Sequence, residues 1–286
     1  MADGSAVSFP GAPRKAEPPL LRPSMGREEA LKAIVASCLA HYRANEAPLL
    51  ASGDSEALHQ ARVALRRMRS ALSLIAPMLP PDRKTAKWRK ALKRLTQAFG
   101  AVRELDVLAE RCAPAVRAVL IAHREEAFAR LARRLRRRRT RRLFEKLSVW
   151  TATPSSGEAL LWAGALLDRR LDRVRRKGAG LAVVSAKKRH KLRIELKKLR
   201  YGAEFFESLH TSNKGRRRSK SFLETLSSLQ DVLGELNDLA TAPRLLESYG
   251  VSARVAKRKG LKARLVAEAE DNWAKLMAAP PFWRCR

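Results

Sequence analysis

The chain has 286 residues, of which 60 are Lys or Arg and 28 are Asp or Glu, so its formal net charge at pH 7 is +32. Self-repulsion at this charge opposes a compact state and indicates an anionic partner over much of the protein's life. The candidate partners are nucleic acid, polyphosphate and an anionic membrane surface. No stretch approaches the roughly 20 apolar residues of a membrane span, so integral insertion is not expected.

The N-terminal residues and the cysteines indicate the cellular compartment of the protein. The first residues lack a basic segment followed by an apolar run, so secretion is not expected. Cys38, Cys112 and Cys285 are an odd number of cysteines without metal-ligand spacing, which is typical of a protein in the reducing cytoplasm.

Apolar residues recur at helical spacing along most of the chain and no segment reads as a strand, so the sequence predicts an all-α fold. Five prolines between Pro10 and Pro23 predict a disordered tail over residues 1–24. A stretch rich in Ser, Thr and Gly at 151–157 predicts a linker between two halves, 25–150 and 158–279.

Each half is predicted to contain four helices. Those of the first half are expected over Glu28–Arg43, from a cap at Asp54 to the prolines at 77–81, over Lys84–Glu110 and over Ala115–Leu147. Pro48 and Gly53 are expected to end the first of them. Those of the second half are expected over Glu158–Lys177, Ala186–His210, Ser219–Tyr249 and Ser252–Met277. Gly100 falls inside a predicted helix, which favours a group packed closely against it.

One pattern occurs twice, at 59–69 and at 190–200: a histidine followed by a basic residue three, seven and ten positions later. The two sets are His59, Arg62, Arg66 and Arg69, and His190, Arg193, Lys197 and Arg200. At about 100° per residue each set forms one line along a helix, beside a line of apolar residues. We call these sets the first and second stripes. A solvated helix face requires charge but neither a histidine nor a matched spacing, so we expect the stripes to bind an anion.

The repeat continues after the stripes. Residues 95–105 and 229–239 share the order Leu, apolar, Gly, apolar, polar, acid, Leu. The sequence therefore predicts a duplicated unit, two four-helix bundles related by an internal pseudo-two-fold axis, in which both stripes could line one groove.

Eight arginines lie within residues 133–142. This run is either the solvated face of a long helix or a second surface that contacts an anion, and the sequence leaves both interpretations open.

Four motifs in this order resemble the CHAD family, the conserved histidine α-helical domain. They are His-x-x-Arg-Val-x-x-Arg-Arg-x-Arg at 59–69, Leu-x-x-x-Phe-Gly-x-Val-Arg-Glu-Leu-Asp-Val at 95–107, Leu-Lys-Lys-Leu-Arg-Tyr-x-x-Glu-Phe-Phe at 196–206 and Leu-Gln-Asp-Val-Leu-Gly-Glu-Leu-Asn-Asp at 229–238. The resemblance implies a basic groove or pore that binds inorganic polyphosphate. Some members of the family associate with polyphosphate or polyester storage granules, so the resemblance also implies association with such granules.

The resemblance places polyphosphate contacts on both stripes and on their neighbours. The implied residues are His59, Arg62, Arg66, Arg67, Arg69, Lys93, Arg103, His190, Arg193, Lys197, Lys198, Arg200 and Tyr201. Two positions depart from the pattern: Glu104 replaces the family's usual Asp, and Ser227 stands where the first half has Lys93. The second half is therefore expected to bind less tightly, or to use Arg216 to Arg218 and Lys220 instead.

Several functions remain as alternatives to polyphosphate binding. An enzyme is not expected, because the sequence lacks a Gly-Lys-Ser or Gly-Lys-Thr phosphate loop and clustered metal ligands. No metal or cofactor is expected, and Glu104, Asp106 and Asp238 are expected to orient arginines or cap helix turns.

A nucleic-acid binder suits the charge, but aromatic residues are only 6% of the chain and offer few stacking platforms. A granule-surface scaffold is the third alternative. The sequence does not predict an oligomeric state.

Overall fold

The computed structural model of the chain describes residues 11–153, 162–251 and 260–284. Within these ranges the chain forms nine α-helices and no strand, which confirms the all-α prediction. The helices are α1 (Arg27–Ser52), α2 (Ser55–Leu74), α3 (Arg83–Glu110), α4 (Pro114–Arg136), α5 (Arg138–Ala152), α6 (Trp162–Gly178), α7 (Ala186–Phe205), α8 (Asn213–Ser248) and α9 (Leu261–Ala278). No helix in the described part of the chain is long and apolar enough to span a membrane.

Some predictions fall on residues outside the described ranges. They concern residues 1–10 of the predicted tail, 154–157 of the predicted linker, the first residues of the helices predicted from 158 and from 252, and Cys285.

The first helix is longer than the sequence indicates. α1 continues through Pro48 and ends at Ser52, and the next residue, Gly53, adopts a φ of +67° that L side chains rarely adopt. The prediction that Pro48 ends the helix is wrong. Tyr42 and Leu49, on either side of this proline, are both fully buried. Their packing stabilises the helix at Pro48, where the proline lacks the N–H for one helical hydrogen bond.

Asp54 caps α2 as predicted, because its Oδ1 accepts a hydrogen bond from the backbone N–H of Ala57 at 2.6 Å.

The fourth predicted helix is broken in two. Arg137 has an extended backbone (φ −64°, ψ 137°) between α4 and α5, so the single helix predicted over Ala115–Leu147 is wrong. The Thr140 hydroxyl donates to the carbonyl oxygen of Arg134 at 2.8 Å, and the Thr140 N–H donates to that of Arg137 at 2.9 Å. The sequence lacks Pro and Gly here, so helical periodicity alone does not show this break.

The chain divides into two compact units that are not continuous in sequence. Of the described residues, unit 1 holds 11–17, Val35–Arg69 and Arg83–Ala152. Unit 2 holds Pro18–Ile34, Ser70–Asp82 and the described residues from Thr153 onwards.

Each unit has an aromatic cluster in its core. In unit 1, Tyr42 of α1 stacks on Phe144 of α5 at 4.3 Å between ring centroids. In unit 2, Phe222 of α8 lies edge-on to Trp283, at 5.0 Å. The indole Nε1 of Trp283 donates to Asp168 Oδ1 at 2.8 Å, so this residue near the C-terminus is docked on α6.

Residues 11–24 differ from the disordered tail expected from their prolines. The Arg14 carbonyl accepts a hydrogen bond from Asn45 Nδ2 at 2.9 Å and lies 2.9 Å from His41 Nε2. Leu21 is buried, and its N–H donates to Ser208 Oγ at 3.0 Å. Composition does not show such contacts, because they depend on acceptors and donors far along the chain.

Candidate functional site

In unit 1, α2 and α3 lie side by side and antiparallel along the first stripe. A Cβ added to Gly100 would lie 3.9 Å from Arg62 Nε, so the Arg62 guanidinium covers this glycine. A group thus lies against Gly100, but at an ordinary contact distance that leaves room for a methyl group, so the packing is looser than predicted. At the two ends of the stripe, the charge of Arg103 acts on His59 and the charge of Arg89 acts on Arg69. The first stripe therefore faces the basic side of α3.

The first stripe gathers positive charge in one place. Burial lowers the pKa of His59, and the nearby charge of Arg103 lowers it further. The charge of Glu56 raises this pKa, and Arg62 and Arg66 lower it by smaller amounts. His59 Nδ1 is buried and has no hydrogen-bond partner among the described residues.

The other end of the stripe shows the same crowding, because burial and then the charges of Arg66 and Arg89 lower the pKa of Arg69. An anion placed here would relieve the mutual repulsion of these cations.

Unit 2 repeats the arrangement with α7 and α8. A Cβ added to Gly234 would lie 3.1 Å from Arg193 Nη2, which is closer than an ordinary contact. His190 Nδ1 lies 2.7 Å from Asn237 Oδ1, an acceptor, so Nδ1 carries a proton. His190 is exposed, so the other edge of its ring is accessible to an anion beside the second stripe.

The helix facing each stripe differs between the units. Helical spacing puts three cations of α3 on one face, Arg89, Lys93 and Arg103. In α8, Ser227 and Asn237 stand where α3 has Lys93 and Arg103. Carboxylates lie near cations in both units: Arg200 Nε lies 3.6 Å from Glu204 Oε1, and Arg103 Nη1 lies within 4 Å of Asp106 and Glu110. The local positive charge is higher in unit 1 because α8 carries no cation in place of Lys93 or Arg103.

Arg89 is a member of this cationic group that the sequence analysis missed. It lies one helical turn before Lys93, and this spacing is the signal that could have found it. Periodicity shows that the two residues share a helix face, but only the packing of α2 shows which neighbour they meet.

Two expected contact residues lie away from the solvent. Arg67 is 6% exposed and its charge acts on His41. Tyr201 is 3% exposed, and the Arg200 guanidinium lies 5.5 Å from its ring centroid. Neither side chain offers an open surface to a polyanion in this conformation.

Lys198 is engaged by a carboxylate. Its Nζ donates to Glu195 Oε1 at 2.9 Å, and Lys177 and Arg170 also lie within 4 Å of this carboxylate. Burial by itself raises the pKa of Glu195, but the hydrogen bond from Lys198 and the three positive charges outweigh it and lower the pKa. Lys198 thus has a carboxylate partner inside unit 2, as Arg103 of α3 has in unit 1.

Asp106 orients arginines, as expected for the acids of this motif. Arg124 Nε of α4 donates to Asp106 Oδ1 at 2.8 Å, and Arg103 Nη1 lies 3.8 Å from Oδ2. Arg124 also donates to the carbonyl oxygen of Gly53. The buried carboxylate thus links α4 to α3 and lies beside the guanidinium of Arg103.

Replacing Asp106 with Ala should lower the free energy of unfolding by about 3 kcal/mol, because the largely buried Arg124 guanidinium loses its counter-charge. Urea unfolding followed by circular dichroism measures this change. The control is Glu126→Ala, which breaks an exposed ion pair with Arg130 and should cost less than about 1 kcal/mol. Equal losses in the two variants would contradict the role given to Asp106.

Among the described residues, no group of three or more His, Cys, Asp or Glu side chains could hold a metal ion.

Comparisons with known proteins bear on both the fold and the stripes. The CHAD domain family matches residues 33–247, about three quarters of the chain. The crystal structure of the CHAD domain from the plant Ricinus communis is similar to this chain with a TM-score of 0.73 at 27% sequence identity, covering 96% of this chain and 94% of that chain. No curated protein matches the chain significantly. The match spans both stripes and both glycines that face them, and the chain belongs to the CHAD domain family, which is associated with polyphosphate binding.

Proposed function

We propose that this protein binds inorganic polyphosphate through the first and second stripes, with Lys93, Arg89 and Arg103 adding contacts in unit 1. The observation that carries the proposal is the recurrence, in both units, of an arginine held over a glycine beside a histidine. A solvated basic face does not require this arrangement twice. The family's association with polyphosphate supports the same ligand.

The side chains suit a ligand made only of phosphate. Polyphosphate carries about one negative charge per phosphate unit and has no bases, so recognition depends on repeated contacts with cations. The planar guanidinium of arginine can donate two hydrogen bonds to one phosphate, whereas lysine acts as a point charge. Release of counterions on binding supplies much of the affinity, which should fall steeply as salt rises.

Nucleic acid is the second candidate, and the aromatic residues disfavour it. Proteins that bind single strands stack bases on accessible aromatic rings. In unit 1, Trp88 is buried and packs on Trp150 at 5.3 Å. None of the large hydrophobic side chains exposed in the described ranges is aromatic. A phosphate chain without bases therefore fits the surface better.

A filter-binding competition tests the choice of ligand. Long-chain polyphosphate should displace RNA from the purified protein at equal phosphate concentration, and affinity for polyphosphate should fall across a salt series from 50 to 200 mM by a factor on the order of 10³ or more if six or more phosphates are contacted. Displacement of polyphosphate by RNA under the same conditions would favour the nucleic-acid function.

We also propose a cytoplasmic role at polyphosphate or storage granules, without catalysis. If polyphosphate recruits the protein, a fluorescent fusion should leave polyester storage granules in cells that lack polyphosphate. Persistence at the granules there would instead support a scaffold whose anion binding is incidental.

A further inference from the structure

The run of arginines at 133–142 joins α4 to α5 in unit 1 and is not part of either stripe. We call it the arginine junction. Seven of its eight arginines are exposed and Arg134 is half-buried; the eight are Arg133, Arg134, Arg136, Arg137, Arg138, Arg139, Arg141 and Arg142. Because the helix breaks at Arg137, these side chains belong to two helix ends.

The arginines at the end of α4 have a structural explanation. Arg133, Arg134 and Arg136 lie in its last turn, where carbonyl oxygens without helical partners carry partial negative charge. Cations stabilise this end of a helix.

The arginines at the start of α5 lack that explanation. Arg138, Arg139 and Arg141 lie in its first turn, which contains no acidic residue. Backbone N–H groups at a helix start carry partial positive charge, so cations there are unfavourable. Arg142 adds a further exposed cation directly after this turn. The α5 side of the junction therefore lowers stability in the absence of an anion.

No acidic side chain of the described ranges forms an ion pair with an arginine of the junction. By contrast, Arg130, just before the junction, lies 3.4 Å from Glu126. Glu145 follows Arg141 by one turn, yet it forms no ion pair with it. Charge at this density without a counter-charge in the fold favours an anion from outside.

The chemistry of the junction selects phosphate rather than bases. All eight cations are arginines, whose planar guanidinium groups can each donate two hydrogen bonds to the oxygens of one phosphate. The ring of Phe144, two residues after Arg142, is buried against Tyr42 and is not available to stack on a base. We propose that the arginine junction is a further polyphosphate-binding surface, additional to the two stripes. This inference rests on the proposed function for its choice of ligand.

The test replaces four arginines of α5 with glutamine in the full chain: R138Q, R139Q, R141Q and R142Q together. Glutamine keeps a similar helix propensity, so α5 should persist. The matched control removes four exposed cations of unit 2: Arg176→Gln, Arg244→Gln, Lys262→Gln and Arg264→Gln. Both variants lose four positive charges, so a difference in their affinity for polyphosphate depends on where those charges lie and not on net charge.

The readout is the slope of log affinity for long-chain polyphosphate against log salt concentration. The junction variant should reduce the magnitude of this slope by up to about 3 and the control by less than 1, because each lost phosphate contact changes the slope by roughly 0.7–0.9. The thermal midpoint of the free junction variant should equal or exceed that of the wild type, since the removed cations are unfavourable at a helix start.

Two outcomes would overturn the proposal. One is the same slope of log affinity for polyphosphate against log salt in the junction variant and the control, while the wild type still binds polyphosphate. That result would not affect the proposed function. The other is a reduced slope for RNA alone, which would make the junction a nucleic-acid surface. Failure of the wild type to bind polyphosphate would instead overturn the proposed function and this inference with it.

Discussion

Replacing Arg62, Arg66, Arg193 and Lys197 together with alanine should remove detectable polyphosphate binding near 150 mM salt while leaving the helix content unchanged. Hydrogen bonds to charged groups contribute about 1.5–3 kcal/mol each, so the loss of four lowers affinity on the order of a thousandfold or more. The four side chains lie off the buried apolar faces of α2 and α7, so the core of each unit is retained. Filter binding and circular dichroism measure the two quantities.

The control for this variant is the set of four unit 2 substitutions at Arg176, Arg244, Lys262 and Arg264, which remove the same charge without touching a stripe. It should bind nearly as tightly as the wild type at the same salt. At low salt the stripe variant should keep weak binding through the arginine junction. Unchanged affinity in the stripe variant would show that the contacts lie elsewhere, with residues 133–142 as the next site to test.

The two units should contribute unequally to binding. Replacing Arg62, Arg66 and Arg69 with alanine should weaken binding about tenfold more than replacing Arg193, Lys197 and Arg200, because only the first stripe works together with a basic facing helix. Each variant loses three positive charges, so each controls for the effect of net charge in the other. Isothermal titration with one chain length of polyphosphate measures the difference.

A gain of affinity tests the reason for this inequality. Ser227 of α8 stands where α3 has Lys93, so Ser227→Lys should strengthen binding by up to about tenfold. Lys93→Ser should weaken binding by a similar factor. Equal losses from the two triple variants, together with no effect of Ser227→Lys, would show that the facing helices do not set the affinity.

Much of the candidate site could be predicted because it depends on local periodicity. The position of a residue around a helix follows from its number, so the sequence predicts that His59, Arg62, Arg66 and Arg69 share a line. The internal repeat then predicts the same line at 190–200 and matches Gly100 with Gly234. The structure bears out these local relations within each unit, since an arginine of each stripe lies over the glycine of the following helix.

The errors occur where a residue's environment depends on a partner from elsewhere in the chain. Arg67 is next to Arg66 in sequence but points about 100° away around α2, towards His41 of α1. Tyr201 follows Arg200 in the same way and is buried. A sequence motif includes both residues because it records neighbours along the chain, whereas exposure depends on which side the next helix covers.

The sequence by itself determined the helices, the repeated stripes and the excess of positive charge, because each of these follows from residue type and spacing within a few turns. Only the tertiary structure decided that α3 opposes the first stripe with cations, that Lys198 is held by Glu195, and that the arginine run is split between two helix ends. These features arise from contacts between residues distant in sequence and from a backbone break at Arg137 that no Pro or Gly marks. Periodicity within one helix cannot specify which surfaces of different helices meet.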